Sequence, residues 1–178
     1  MSLTDTLRTA ARPGLFTTEV VENRAVCQEH FRLTLRATGF PDALPGQFVQ
    51  VQCGVPDTPP PAGMSDGSAA AGERLAAVSR GRPFVRRPFS IAGLRRDGGE
   101  CRIDLIYRVI GTATVWMAGL RPGQYVSVIG PLGRPFCVVR GARLHILVGG
   151  GVGLPPTMWL GQLMGGDGLK AIAVCGAR

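Results

Sequence analysis

The stretch LHILVGGGVGLPPTMWLGQLM, residues 144–164, decides how this chain is read. Its first part, LHILVGG, is a continuous apolar run, the pattern of a parallel strand buried on both faces. Glycines follow, and then a pattern with helical spacing. Pro155 and Pro156 fall in the first turn of that helix, where a missing N–H is tolerated. Glycine lets the backbone turn sharply and lets a phosphate come close. The free N–H groups and the positive dipole end of the following helix favour an anion there. A second apolar run, LKAIAVCGAR at 169–178, reads as another buried strand, so the end of the chain is one β-α-β unit. The turn itself, Gly149, Gly150, Gly151, Val152 and Gly153, departs from the G-x-G-x-x-G fingerprint. No acid closes the second strand to hold a ribose. Taken alone, the motif is equally a tight strand-to-helix turn.

Upstream the grammar is different. TTEVVENRAVCQEHFRLTLRA alternates and reads as two strands joined near Gln28–His30. PGQFVQVQC is a third strand opened by a turn at Pro45–Gly46, RRPFSIAGL a fourth, and CRIDLIYRVI a fifth with Ile103, Leu105 and Tyr107 on one face. GTATVWMAGL offers a short helix with Thr112 or Thr114 as its N-cap, stopped by Pro122–Gly123. QYVSVIG is a further strand ended by the turn GPLG, and RPFCVV closes the set. About six short antiparallel strands with regular turns suggest a small barrel or sandwich. Residues from about 54 to 84 are rich in Pro, Gly, Ala and Ser and read as a mobile insertion, with a short helix conceivable over AAAGERLAAVSR.

Composition narrows the function classes. The net charge is +8, and 19 of the 20 basic residues are Arg, with Lys170 the exception. Arg suits bidentate contact with phosphate. These arginines are scattered rather than clustered, which argues against a nucleic-acid partner; a basic nucleic-acid-binding barrel would show steeply salt-dependent binding. The five cysteines are far apart, without a C-x-x-C. That spacing argues against a disulfide framework, a zinc site or an iron–sulfur motif and reads as core or strand residues in a reducing compartment. No stretch has the length of a membrane span or the apolar core of a signal peptide, so the expectation is a soluble, cytoplasmic protein with no metal site. His30 and His145 are isolated, and no residue offers itself as a general acid or base.

Two further motifs carry chemistry. In RRPFS, Arg87 can clamp a pyrophosphate, Phe89 projects to the same face of a strand and offers a ring for stacking, and Ser90 is a small donor or acceptor. The bland alternative is a basic strand edge. In IYRVIGTAT a strand ends in Gly and hydroxyl residues before a short helix, which presents N–H groups to an anion or simply caps that helix.

The order and spacing of R-P-F-S, Y-R-V-x-G-x-x-T, G-P-L-G and G-G-G-V-G-L-P-P resemble the ferredoxin–NADP reductase superfamily. Within it the chain looks most like the electron-transfer subunits of class 1B dihydroorotate dehydrogenases, over roughly residues 18–53 and 86–178. The resemblance implies a six-stranded antiparallel flavin-binding β-barrel over 15–140, carrying the insertion, followed by the start of a parallel α/β NAD(P)-binding domain over 141–178. It implies non-covalent FAD held by Arg87, Pro88, Phe89 and Ser90 and by Ile106, Tyr107 and Arg108. Ala113 and Thr114 stand where the family usually reads Gly-Thr near the pyrophosphate. Gly130–Gly133 would turn the chain near the flavin, and Gly149, Gly150, Gly151, Val152 and Gly153 would face a nicotinamide dinucleotide. The family's longer nucleotide domain and the cysteine cluster of a [2Fe-2S] centre find no match here, so the chain reads as a truncated version of a longer protein. The implied activity passes electrons between NAD(P), an iron–sulfur centre and a partner FMN subunit that oxidises dihydroorotate in pyrimidine biosynthesis. Alternatives are the flavin subunit of a hydrogenase or sulfhydrogenase, and a flavin-binding or interaction module without turnover. A half nucleotide domain would also leave its two strands incompletely covered.

Overall fold

The computed structural model describes residues 12–54, 85–139 and 141–176. Six strands close into an antiparallel barrel: β1 (Gly14–Cys27), β2 (His30–Thr38), β3 (Phe48–Val51), β4 (Arg87–Asp97), β5 (Glu100–Arg108) and β6 (Tyr125–Leu132). Their order around the barrel is β1-β2-β5-β4-β3-β6, with β6 pairing back onto β1. The short helix α1 (Thr112–Ala118) links β5 to β6. The chain then leaves the barrel for β7 (His145–Gly150), a 3-10 turn at Gly151–Gly153, helix α2 (Leu154–Gly166) and β8 (Ala171–Gly176). β7 and β8 pair in parallel, from His145↔Ala171 to Gly150↔Gly176.

The alternation read from the sequence builds the barrel interior. Leu33 and Leu35 of β2, Val49 and Val51 of β3, Ile91 of β4, Ile103, Leu105 and Tyr107 of β5, and Val126 and Val128 of β6 form one buried cluster. Trp116 and Met117 bring α1 onto it, and Trp159 brings in α2, which packs against β4. The β-α-β unit is therefore fixed to the barrel through its helix. A second, smaller cluster of Leu160 and Met164 packs with Leu147 and Leu169 between α2 and the two strands.

Several expectations need correction. GPLG is not a turn: Gly130, Pro131 and Leu132 continue β6, because Gly130 pairs with Gly14 of β1 and Leu132 with Phe48 of β3. Gly130 is there for space, since a Cβ would lie 2.7 Å from Val49 Cγ1. RPFCVV forms no strand. With β1 and β3 both paired to β6, no barrel edge is left for it, and it crosses the Pro45–Gly46 turn with Phe136 N–H donating to Pro45 O. The N-cap of α1 is Gly111, not Thr112 or Thr114. The helix ends at Ala118, capped by Gly119, before Pro122.

β7 and β8 are parallel but not buried. Ile146 is 65% and Val148 73% exposed, because α2 covers only the other face of β7, and every residue of β8 is exposed. Of the cysteines, Cys53 and Cys101 are buried, whereas Cys27, Cys137 and Cys175 are exposed, and Cys137 lies outside any strand. The insertion, from residue 55 on, and the short helix considered within it lie outside the described residues.

Candidate functional site

β4 opens the site. Its inward row runs from buried Ile91 through half-buried Phe89 to exposed Arg87, opposite Val49 and Val51 of β3. Arg87 thus stands at the barrel rim. Its neighbour Arg86 lies on the other face, as strand alternation requires. Arg86 donates to Gln50 O at 3.3 Å, Ser127 O at 3.1 Å, Gln52 Oε1 at 3.1 Å and Ser127 Oγ at 2.7 Å. That side chain is spent on tying β3 to β6. The Arg87 guanidinium and the Ser90 hydroxyl make no hydrogen bond among the described residues. Buried Cys53 is close enough to feel the Arg87 charge, yet burial prevails and pushes its thiol up to about 11.

Next to this row stands an aromatic set. The Phe89 ring meets Tyr107 edge-on, with centroids 6.0 Å apart, and Phe31 stacks on the other side of Tyr107 at 5.9 Å. Tyr107 is 2% exposed, and burial raises its phenol well above the ordinary value. Its hydroxyl donates to Asn23 Oδ1 at 3.1 Å. Ile106 is half-buried and Arg108 exposed. Arg108 forks onto Glu29 Oε2, with Nε at 3.1 Å and Nη2 at 2.9 Å. Glu29 adopts φ 59°, the left-handed region, and its carbonyl accepts from Val109 N–H at 2.8 Å.

The segment after β5 is held by Thr114. Its hydroxyl accepts from the N–H groups of Ile110 and Gly111 and donates to Gly111 O. Ala113 is half-buried and packs against the barrel core.

The glycine turn comes to the same region. Gly151–Gly153 lies against β5, the strand that ends in Tyr107 and Arg108. Gly151 has φ +52°, which favours glycine. Gly149 is needed for close packing, because a Cβ there would lie 3.1 Å from Thr157 Oγ1. Thr157 Oγ1 in turn donates to Gly153 O at 2.8 Å, pinning the first turn of α2 to the loop. Val152 is exposed. The structure brings Phe89 and Tyr107 together, with Arg87 at the rim beside Phe89, and lays the glycine turn against β5, the strand that carries Tyr107 and Arg108. Gly130–Gly133, expected to turn the chain, is instead mostly β6, with only Gly133 leaving the strand. His145 is structural, its ring bonded to Lys170 O and Val139 O. Among the described residues, no three His, Cys, Asp or Glu side chains gather as a metal site. No helix among them is long and apolar enough to cross a membrane.

Sequence reasoning passed over Arg86, Asn23 and Asp104. The last is 4% exposed on β5 and is bonded by Arg32, Thr34 and Arg95. Asn is depleted in strand interiors, so an Asn within β1 was the available signal for Asn23.

A closed six-stranded barrel joined to a glycine-turned β-α-β unit defines the fold, which this chain shares with solved ferredoxin reductases. It is similar to the electron-transfer subunit of dihydroorotate dehydrogenase B (NAD(+)) from Lysinibacillus sphaericus, with 35% identity over 88% of this chain and 52% of that protein. The corresponding subunit of Fusobacterium nucleatum is 30% identical over 88% of the chain and 52% of its own length. The chain spans about half the length of the curated relatives it matches. Among solved structures, the ferredoxin reductase of carbazole 1,9a-dioxygenase superposes with a TM-score of 0.71 at 21% identity, over 96% of this chain and 44% of that one. A cytochrome P450 reductase from Amycolatopsis superposes with a TM-score of 0.67 at 21% identity, over 99% and 47%. Phthalate dioxygenase reductase, described as transferring electrons from pyridine nucleotides to [2Fe-2S], does so with 0.65 at 15% identity, over 93% and 44%. No family model matches the chain.

Proposed function

We propose that this chain is the flavin-binding part of an FAD-linked electron-transfer oxidoreductase subunit. Residues 15–140 form the FAD domain, and 141–178 belong to an NAD(P)-binding domain. The observation that carries the reading is a rim arginine, Arg87, without a side-chain partner among the described residues, next to the ring of Phe89 on β4, with the Gly151–Gly153 turn set against the neighbouring strand β5. FAD fits these residues. Arg87 has its fork of donors unused among the described residues and suited to the phosphates, the Phe89 ring offers a flat apolar wall, and Ser90 has a hydroxyl to give. Pro88 shapes the strand between Arg87 and Phe89. Ile106, Tyr107 and Arg108 hold the second contact segment, and Thr114 fixes the loop beside Ala113 where the pyrophosphate would pass. Gly149, Gly150, Gly151, Val152 and Gly153 give a nicotinamide dinucleotide close approach. The redox chemistry belongs to the flavin, and the protein binds and orients it; we assign no residue as general acid or base.

The curated relatives support a finer proposal. The chain works beside a dihydroorotate-oxidising FMN subunit and a [2Fe-2S] centre in pyrimidine biosynthesis, in the cytoplasm. The two relatives are named as electron-transfer subunits of dihydroorotate dehydrogenase B, which implies such a partner. The test is the visible absorption spectrum of the purified protein, with release and identification of the chromophore. Bound FAD is the expected result. A colourless protein that also refuses added FAD overturns the reading.

A further inference from the structure

We propose that Asn23, which no resemblance singles out, is a positioning residue for the flavin site, rigidly joining the aromatic wall to the segment meant for the pyrophosphate. The proposal rests on the flavin reading above. Asn23 follows a register shift in the β1–β2 ladder between Val20 and Glu22, and such bulges re-aim side chains. Its amide nitrogen donates to Met117 O at 2.8 Å, Leu120 O at 3.1 Å and Ala118 O at 3.3 Å. Met117 and Ala118 close α1 and Leu120 lies two residues beyond it, where helix-end carbonyls run short of helical partners; Met117 O also accepts from Leu120 N–H at 3.0 Å. Its amide oxygen accepts from Tyr107. Both ends of the amide are therefore engaged, one by the element that carries Ala113 and Thr114, the other by the ring that Phe89 and Phe31 pack against. A carboxylate at this position has no N–H for the carbonyls, and an apolar side chain satisfies neither end. Among the described residues, no other side-chain hydrogen bond connects α1 to Tyr107.

The test compares Tyr107→Phe, Asn23→Asp and their double variant with Thr18→Val. Thr18 is buried on β1, and its hydroxyl donates to Val126 O at 2.8 Å, so its loss costs stability away from the site. FAD affinity and the visible circular dichroism of the bound flavin are read alongside the melting temperature of the FAD-free protein. Tyr107→Phe keeps the ring and removes one hydroxyl, so it stays measurable even where Asn23→Asp folds poorly. The expected result is about tenfold weaker FAD binding for each single variant, the scale of one well-placed buried hydrogen bond. The flavin dichroism should change, and the double variant should be no worse than the poorer single. Thr18→Val should lower the melting temperature only. If Tyr107→Phe and Asn23→Asp behave like Thr18→Val, with wild-type affinity and dichroism, Asn23 is merely structural and the proposal falls. If the wild-type chain binds no FAD, the flavin reading itself falls and takes this proposal with it.

Discussion

Arg86 and Arg87 are adjacent in the chain and face opposite sides of β4. Arg86 makes four hydrogen bonds across β3 and β6, whereas Arg87 stands exposed at the rim with none from its side chain among the described residues. Arg86→Ala is expected to destabilise the barrel by about 1–3 kcal/mol, since it strands carbonyls and a hydroxyl that were bonded. Arg87→Ala should leave the melting temperature of the FAD-free protein nearly unchanged and weaken FAD roughly ten- to a hundredfold, the range for charge-assisted contacts to phosphate. Chemical denaturation together with flavin titration separates the two. Equal loss of stability in both variants would contradict the division of labour. Asp104 makes a related point. It sits on the outer face of β5 but is covered by Arg32 and Arg95, so a charge on a polar-looking strand face is in fact part of the packing.

Between β7 and α2 the limiting contact is Gly149 against Thr157. Gly149→Val places two methyl groups beyond a Cβ that would already lie 3.1 Å from Thr157 Oγ1. Overpacking of this kind costs about 1–3 kcal/mol, so the variant should show a lower melting temperature with α2 displaced from β7. A melting temperature equal to wild type would mean that α2 shifts freely and that the glycine turn is not held. The same physics explains Gly130, which fills no turn and gives room to Val49. Two glycines of one candidate turn, Gly130 and Gly133, thus do separate jobs: the first packs, and the second, at φ +79°, lets the chain leave the strand.

The barrel as a body protects what it encloses. Cys53 has its thiol raised to about 11 from an ordinary 9.0, and Tyr107 is raised from 10.0, both chiefly by burial. Both groups are neutral below their ordinary values, folded or not. Above them the unfolded chain releases protons that the folded barrel still holds, so stability declines as pH climbs from 9.0 toward about 11. Melting temperatures across that range check this, and a curve that rises would refute it. In the native protein at neutral pH, a thiol reagent should modify Cys27, Cys137 and Cys175 quickly and spare Cys53 and Cys101, which react only on unfolding. The parallel pair behaves differently from the barrel. Ile146, Val148, Ile172 and Val174 remain more than half exposed, on the face of the parallel pair that α2 does not reach.

Local pattern alone was enough for most of the elements. Strand alternation marked all six barrel strands, paired prolines marked the start of α2, and glycines marked the strand-to-helix turn, because each of these preferences is set within a few residues. The motif order also pointed to the relatives that the chain resembles, and the candidate residues read from it on β4, on β5 and in the glycine turn await the flavin-binding test. What depended on distant partners was not legible. RPFCVV has strand composition but no free edge to join, and GPLG has turn composition but is paired on both sides. LHILVGG and LKAIAVCGAR have the apolarity of buried strands, yet burial is supplied by neighbours and not by composition. Which of two adjacent arginines is spent on the fold, and that an asparagine in β1 bonds a helix end some 95 residues away together with a tyrosine on β5, were decided by closure of the barrel. Closure brings together side chains whose separation along the chain leaves no periodic trace.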